Sequence, residues 1–428
     1  MSHVTLARGG DFRVALEETE VPPSSLYVNL AAAYWRLGNS DKSIHTLKRA
    51  VAIEPINENA VVFLADALHI LRRSEEAIPY LEHLTEYERA SERVWSRAAR
   101  ACLDAARTKR NDVVLLDKAR IAMRHHLALH DHAELWNDLG VVEFFAGNKD
   151  AALRYFSQSL KKLDDLRKDY GLPLSNVLVL AIEDKRYDNA YAVSKKYLEE
   201  HSPDASKAYA KIILQHAVCL EARGEWEEGI RVLEDALRKD VGNLEACVEM
   251  LNQIVCYYAF VSPQAEENVE YVRQLRTLIE DSDGDLPDIV VARSTNNIAF
   301  AYLKAGNAAD AEALLPRLSQ AIGKDPYSTA TLGLYHLIKH GDVKRTEELY
   351  TRAVSIAHDK TLKNRIRQTM HFEIARFLDH TGNRAEATRR YEKVLKLANG
   401  FDFLNSQANK QLARFKAMPR RLDPPQKK

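Results

Sequence analysis

At 428 residues and 48.6 kDa, the chain has room for two or three ordinary domains or one extended repeat array. Its 61 Lys and Arg balance 61 Asp and Glu, which argues against nucleic acid as the main ligand, because phosphate binding draws on a basic surplus. With 46% hydrophobic and 29% charged residues but only 16 Gly and 13 Pro, the composition excludes a disordered chain and a turn-rich sheet protein. Cys102, Cys219, Cys247 and Cys256 stand far apart with no CxxC among them. They suit a reducing compartment and supply neither a disulfide frame nor a zinc knuckle. The first 25 residues lack an apolar leader core, and no run approaches the roughly 20 apolar residues of a membrane span. The expectation is a cytoplasmic, helix-dominated protein without a membrane partner.

In chain order, residues 1–23 predict an N-terminal helix in which Gly10-Asp11 and then Ala15 mimic the turn and second half of a helical hairpin. Pro22-Pro23 interrupt it, so this is half a repeat or a lone capping helix. Residues 24–400 are periodic. A Gly followed by Asn, Asp or Glu recurs at Gly38, Gly147, Gly224, Gly306, Gly341 and Gly382. Five residues after each comes Ser43, Ala152, Gly229, Ala311, Thr346 or Ala387, nearly all small. An apolar helical stripe such as Tyr27, Leu30, Ala31 and Tyr34 lies upstream, and one such as Ile44, Leu47, Ala50 and Val51 lies downstream. The unit is helix, Gly turn, helix.

The register gives about ten copies, starting near Ser24, Glu58, Glu92, Ala133, Gly171, Ala210, Leu244, Ala292, Tyr327 and Gln368. The second, fifth and seventh lack the turn glycine and carry Arg72, Lys185 and Tyr258 there. Loops stretch the third around Thr108–Val113 and the seventh around Asp281–Asp288. Residues 401–418 predict a last helix whose stripe Leu404, Ala408, Leu412 and Phe415 reads as a terminal cap. Residues 419–428 form a basic, Pro-rich tail expected to be disordered.

The clearest copy is Trp136-x2-Leu139-Gly140, then Gly147, then Ala152-x3-Phe156. It resembles the tetratricopeptide (TPR) signature, a helical hairpin of about 34 residues repeated in tandem. Large residues fill the space between the paired helices, and small ones such as Gly140 and Ala152 sit where the axes approach. The resemblance implies an all-α, right-handed superhelical solenoid with a C-terminal capping helix. It also implies a concave groove lined by the first helices, which the family uses to hold peptides or extended protein segments.

No GxSxG, HExxH, GxxxxGK[ST] or GxGxxG is present, so no enzyme activity, cofactor or metal is expected. His126 and His130 share a helix face within the cluster His125, His126, His130 and His132, but no recognised ligand motif is completed. In Glu280-Asp281-Ser282-Asp283-Gly284-Asp285 the glycine is misplaced for an EF-hand, which leaves a solvated loop.

The sixth position of each first helix should point into the groove. Those residues are Asn29, Phe63, Arg97, Asp138, Asn176, Gln215, Glu249, Asn297, Leu332 and Glu373. Four are amides, and an amide donates and accepts at once, which suits a peptide backbone of any sequence. Arg93, Arg97 and Arg100 form a basic strip able to receive an acidic segment, or else a charged face with its own acidic partners. The chaperone-tail clamp known in the family is absent, since Val28, Ala32 and Phe63 occupy its other positions. A second basic run, Lys360, Lys363, Arg365 and Arg367, falls in the stretched junction before the tenth copy. The sequence therefore points to a non-catalytic scaffold or adaptor. Its candidate partner-binding residues are Asn29, Arg93, Arg97, Arg100, Asp138, Asn176, Gln215 and Asn297. The alternative is the regulatory or substrate-recognition arm of a larger enzyme or signalling system.

Overall fold

The computed structural model describes residues 23–86, 90–109, 111–165, 169–203, 208–282, 284–320, 323–398 and 400–417. The N-terminal half-repeat within residues 1–22 and the tail 419–428 lie outside them. Among the described residues every regular element is a helix, and no helix is long and apolar enough to cross a membrane. The chain divides into two compact units, Met1–Arg223 and Gly224–Lys428.

The first unit pairs helices in sequence. α1 (Ser24–Arg36) pairs with α2 (Ser40–Ile53), and α3 (Glu58–Ile70) with α4 (Ile78–Thr85), which follows a 3-10 turn at Ser74–Ala77. α5 (Glu92–Thr108) pairs with α6 (Val113–Leu129), α7 (Ala133–Phe145) with α8 (Lys149–Asp165), and α9 (Gly171–Glu183) with α10 (Tyr187–Glu200). α11 (Tyr209–Ala222) ends the unit. Two helix starts of this unit are capped by an Asx side chain: Asn57 accepts from the Ala60 N–H at 3.1 Å, and Asp112 from those of Val114 and Leu115.

The hairpins close as the small-and-large pattern requires. Ser43, Ala152 and Ala190 in second helices, and Ala77 in the 3-10 turn that leads into α4, are all buried. A Cβ added to Gly140 would stand 2.5 Å from the Phe156 ring, so only glycine lets α7 and α8 approach this closely. Ser43 adds a polar tie, its hydroxyl donating to the Ala31 carbonyl at 2.9 Å. Gly38 and Gly147 turn with φ of 74° and 81°, and Arg72 and Lys185 adopt the same left-handed backbone at 58° and 59° despite their side chains. The hairpin geometry thus outweighs local preference in copies two and five.

The second unit runs from α12 (Trp226–Arg238) through α13 (Leu244–Val261), α14 (Glu266–Glu280) and α15 (Asp288–Lys304). It continues with α16 (Ala308–Glu312), α17 (Leu315–Gln320), α18 (Pro326–His340), α19 (Val343–Ile356), α20 (Lys360–His380), α21 (Arg384–Leu395) and α22 (Asp402–Ala417). Here the register drifts. Tyr258 lies inside α13, which continues to Val261, so the seventh copy has no turn at that position. α16 and α17 are two short pieces, because the Pro316 ring collides with the carbonyl a turn earlier in a continuous helix. In the ninth copy Gly333, one residue before the expected position, faces the second helix: its Cβ would meet Tyr350 at 2.9 Å, and Thr346 donates to its carbonyl at 3.0 Å. The basic run expected in a junction is helical, since α20 starts at Lys360 with Asp359 capping Leu362 at 2.8 Å.

The last helix buries Leu404 and Ala408 against a cluster containing Phe372, Tyr391 and Val394. It also does more than shield an end. Phe403 meets Phe260 of α13 at 4.9 Å and Trp226 of α12 at 5.1 Å, which ties the end of this unit to its beginning.

Candidate functional site

The basic strip of the first unit lies on α5, and the neighbouring α3 supplies its partners. Arg97 clasps Asp66 with two hydrogen bonds of 3.1 and 3.0 Å. Arg93 donates to Asn59 at 3.2 Å and stands 4.0 Å from Glu58. Arg100 is exposed, and its charge reaches Asp138 of α7. Burial raises the Asp138 carboxyl above its ordinary range, while the Asn137 amide and Arg100 pull the other way. Of the three arginines, Arg97 is therefore committed and Arg100 is the most open.

The amides are also linked between neighbouring copies. Asn176 donates to Asn137 Oδ1 at 2.7 Å, and Gln215 donates to the Ser175 carbonyl at 2.9 Å and its hydroxyl at 3.1 Å. In each case a sixth-position amide grips the fifth-position residue of the preceding copy. In the second unit Asn297 donates to Asn252 at 2.9 Å, and Asn252 donates to Ser294 at 2.8 Å. These amides form a ladder whose rungs join first helix to first helix. Asn29 is exposed on α1, and Gln215 Oε1 is buried without a hydrogen-bond partner among the described residues. The other sixth positions are engaged: Phe63 against Trp35, Glu249 with Arg293, Leu332 in the core, and Glu373 in a buried ion pair.

The histidine cluster is held from within. Glu92 of α5 meets His126 Nε2 at 3.1 Å and His130 Nε2 at 3.0 Å, while His125 stacks on Trp95 with centroids 4.4 Å apart. Hydrogen bonding from His126 holds the Glu92 carboxyl below its ordinary range. Among the described residues no group of three or more His, Cys, Asp and Glu side chains could hold a metal ion. Burial pushes the Cys102 thiol up to about 12 and Cys219 to about 11, far from the range of a nucleophilic thiolate.

In the second unit a cavity of about 700 Å³ opens where the C-terminal halves of α15, α18 and α20 meet α21 and α22. Lys304 and Glu373 form its charged floor, 2.5 Å apart and with side chains 2% and 5% exposed. The Lys304 ammonium is also ringed by Phe260, Phe300 and Phe372 at 5.5, 6.0 and 5.9 Å. Burial lowers the Lys304 pKa against the pull of Glu373. For Glu373, burial acts upward, but Lys304 and Arg376 together prevail and keep the carboxylate charged. Arg376 bonds Glu373 at 3.1 Å, and Arg414 pairs with Asp379. Sequence reasoning marked Glu373 as a sixth-position residue and missed Lys304, Arg376, Gln411 and Arg414.

Comparison with known sequences gives two family matches. The model of the tetratricopeptide repeat matches residues 291–318, and that of the bacterial transcriptional activator domain matches residues 8–93. No curated protein matches the chain. Among solved structures, yeast Tom70 is 14% identical with a TM-score of 0.40, over 95% of this chain and 91% of that one. An IFIT1 monomeric mutant with Gppp-AAAA is 13% identical with a TM-score of 0.48, over 92% and 96%. A tetratricopeptide repeat protein from Parabacteroides merdae is 12% identical with a TM-score of 0.30, over 81% and 98%. At these scores none of the three bears on function. The repeat match, the helix-pair architecture and the small-residue contacts give the chain a TPR-type helical-repeat fold, an all-α solenoid.

Proposed function

We propose that the protein is a non-catalytic, cytoplasmic scaffold or adaptor that holds an extended segment of a partner protein against its first helices. The observation that carries this reading is the set of polar groups on five first helices of the first unit, from Asn29 on α1 through Arg93 and Arg100 on α5 and Asp138 on α7 to Asn176 on α9 and Gln215 on α11. Within that set Arg97 and the Asn176 and Gln215 amino groups stiffen the spacing between copies through their bonds to Asp66, Asn137 and Ser175. Asn29, Arg93 and Arg100 remain exposed to meet a ligand. The TPR-type fold commonly mediates protein interactions, and the balanced charge favours a protein partner over nucleic acid.

The test is affinity capture from the native host, comparing wild type with Arg93→Glu/Arg100→Glu. Both side chains are exposed, so the fold should tolerate the change. Partners lost by the variant, and bound by purified wild type with an affinity that falls as salt rises, would support the reading. An identical partner set for both proteins would refute it.

A second reading is favoured by the match of residues 8–93 to the bacterial transcriptional activator domain. In it the helical array is the regulatory arm of a larger signalling system, and the partner segment belongs to that system. Co-purification with a DNA-binding or enzymatic subunit, lost on truncation of the matched segment, would distinguish it.

A further inference from the structure

We infer that the cavity between α15, α18, α20, α21 and α22 is a binding site for a small organic acid, a carboxylate-bearing metabolite. This is a ligand of a different class from the protein segment proposed above, and the inference does not depend on that reading. The volume of about 700 Å³ is that of a small-molecule pocket rather than a packing gap.

The lining sets the sign of the ligand. Three basic side chains, Lys304, Arg376 and Arg414, face two acidic ones, Glu373 and Asp379, leaving a basic surplus inside a concave, partly desolvated space. The floor pair is complete, with Glu373 taken by Lys304 and by one nitrogen of Arg376. The two arginines are only partly engaged. Each gives a single guanidinium nitrogen to its carboxylate and is 45% exposed, so each keeps further N–H donors for a planar carboxylate.

Two residues of the lining carry unmet hydrogen-bonding capacity. Gln411 Oε1 is buried without a partner, and the Tyr391 hydroxyl makes no hydrogen bond among the described residues although its ring is buried. A buried acceptor left unmade is a standing cost, which a ligand hydroxyl or N–H would remove. The apolar part of the lining, from Leu303, Leu337, Ile338 and Phe377, suits a short carbon skeleton. The arrangement therefore fits a hydroxy acid or dicarboxylate: carboxylate on Arg376 and Arg414, polar substituent on Gln411 and Tyr391, carbon chain on the leucines.

The experiment is isothermal titration of the full chain with malate, succinate and citrate, with inorganic phosphate as the competing anion. Wild type should bind at least one of the acids saturably with one site, and Arg414→Gln should weaken it about tenfold or more. Tyr391→Phe should weaken it several-fold, and because that hydroxyl has no hydrogen-bond partner among the described residues, the variant should keep wild-type helicity and melting temperature. Gln411→Met should lose the preference for malate over succinate. No saturable binding of any acid at millimolar concentration would overturn the proposal, as would equal binding by wild type and folded Tyr391→Phe and Arg414→Gln. Phosphate binding as tightly as the acids would overturn the carboxylate assignment.

Discussion

Replacing Lys185 by Gly should stabilise the first unit. Lys185 ends α9 with φ of 59°, and its N–H donates to the Ile182 carbonyl at 3.0 Å. The next residue closes the turn, the Arg186 N–H meeting the Ala181 carbonyl at 2.8 Å. None of these bonds involves the lysine side chain, which is exposed and makes no ion pair among the described residues. Holding a residue with a Cβ in the left-handed region costs roughly 1–2 kcal/mol. Glycine removes that strain but gains freedom in the unfolded chain, which returns about 0.5–1 kcal/mol of it. The net gain is about 0.5–1 kcal/mol, or a rise of roughly 1–4 °C in the melting temperature of a unit this size. The converse change calibrates it. Gly147 has φ of 81° and open space where a Cβ would stand, so Gly147→Ala should lose about 1 kcal/mol through backbone strain alone. Differential scanning calorimetry of the two variants beside wild type decides the matter. A Lys185→Gly protein that melts at or below wild type would show that the turn is not strained and would refute the reasoning.

Three further outcomes follow from the packing and the charges. Gly140→Ala should destabilise by about 1–3 kcal/mol despite alanine's better helix propensity, because the new methyl lands 2.5 Å from Phe156; Phe156→Leu in the same chain should recover part of the loss in urea unfolding. Burial, with Arg390 beside it, holds the His371 imidazole down at about 4. The unfolded chain therefore takes up this proton first, so the contribution is whole above pH ~6.5 and is lost as pH falls toward 4, with a slope of at most about 1.4 kcal/mol per pH unit. His371→Gln should flatten that part of the stability–pH profile, and an unchanged profile would rule out the assignment. Lys304→Met and Glu373→Leu should each cost about 3–5 kcal/mol by stranding a buried charge, whereas the double replacement should be less damaging than either alone; additive losses in the double-mutant cycle would mean the pair is not coupled.

The hairpin was legible because its determinants are local. Turn glycines, small residues at Ser43, Ala152 and Ala387, and bulky partners such as Phe156 lie within one repeat, and their spacing follows from helix geometry. Register failed where the backbone departs from that geometry without a marker in composition: α13 runs through Tyr258, and α18 slips by one residue so that Gly333 takes the close contact. The start of α20 was readable in principle, since Asp359 precedes it as a cap, but a repeat of fixed length places no helix start there. The partners of the site residues were not readable. Arg97 pairs with a residue 31 positions away, Asn176 with one at 39, Asn297 with one at 45 and Lys304 with one at 69. Unequal repeat lengths make those offsets irregular, so sequence spacing predicts the face of a residue but not what meets it.

That distinction changes which residues deserve to be mutated first. A polar residue at the sixth position of a first helix is placed by helix periodicity alone, and the same placement serves two ends: gripping the adjacent first helix or meeting a ligand. The hydrogen bonds separate them. Asn176 and Asn297 have their amino groups engaged with neighbouring copies, so replacing them would loosen the spacing of the array and weaken any ligand indirectly, with a loss of stability alongside. Asn29, Arg93 and Arg100 are exposed, and Tyr391 brings a hydroxyl that makes no hydrogen bond among the described residues. Changes there can alter binding while leaving the melting temperature in place. Binding lost together with stability therefore diagnoses a rung of the ladder, and binding lost without it diagnoses a contact.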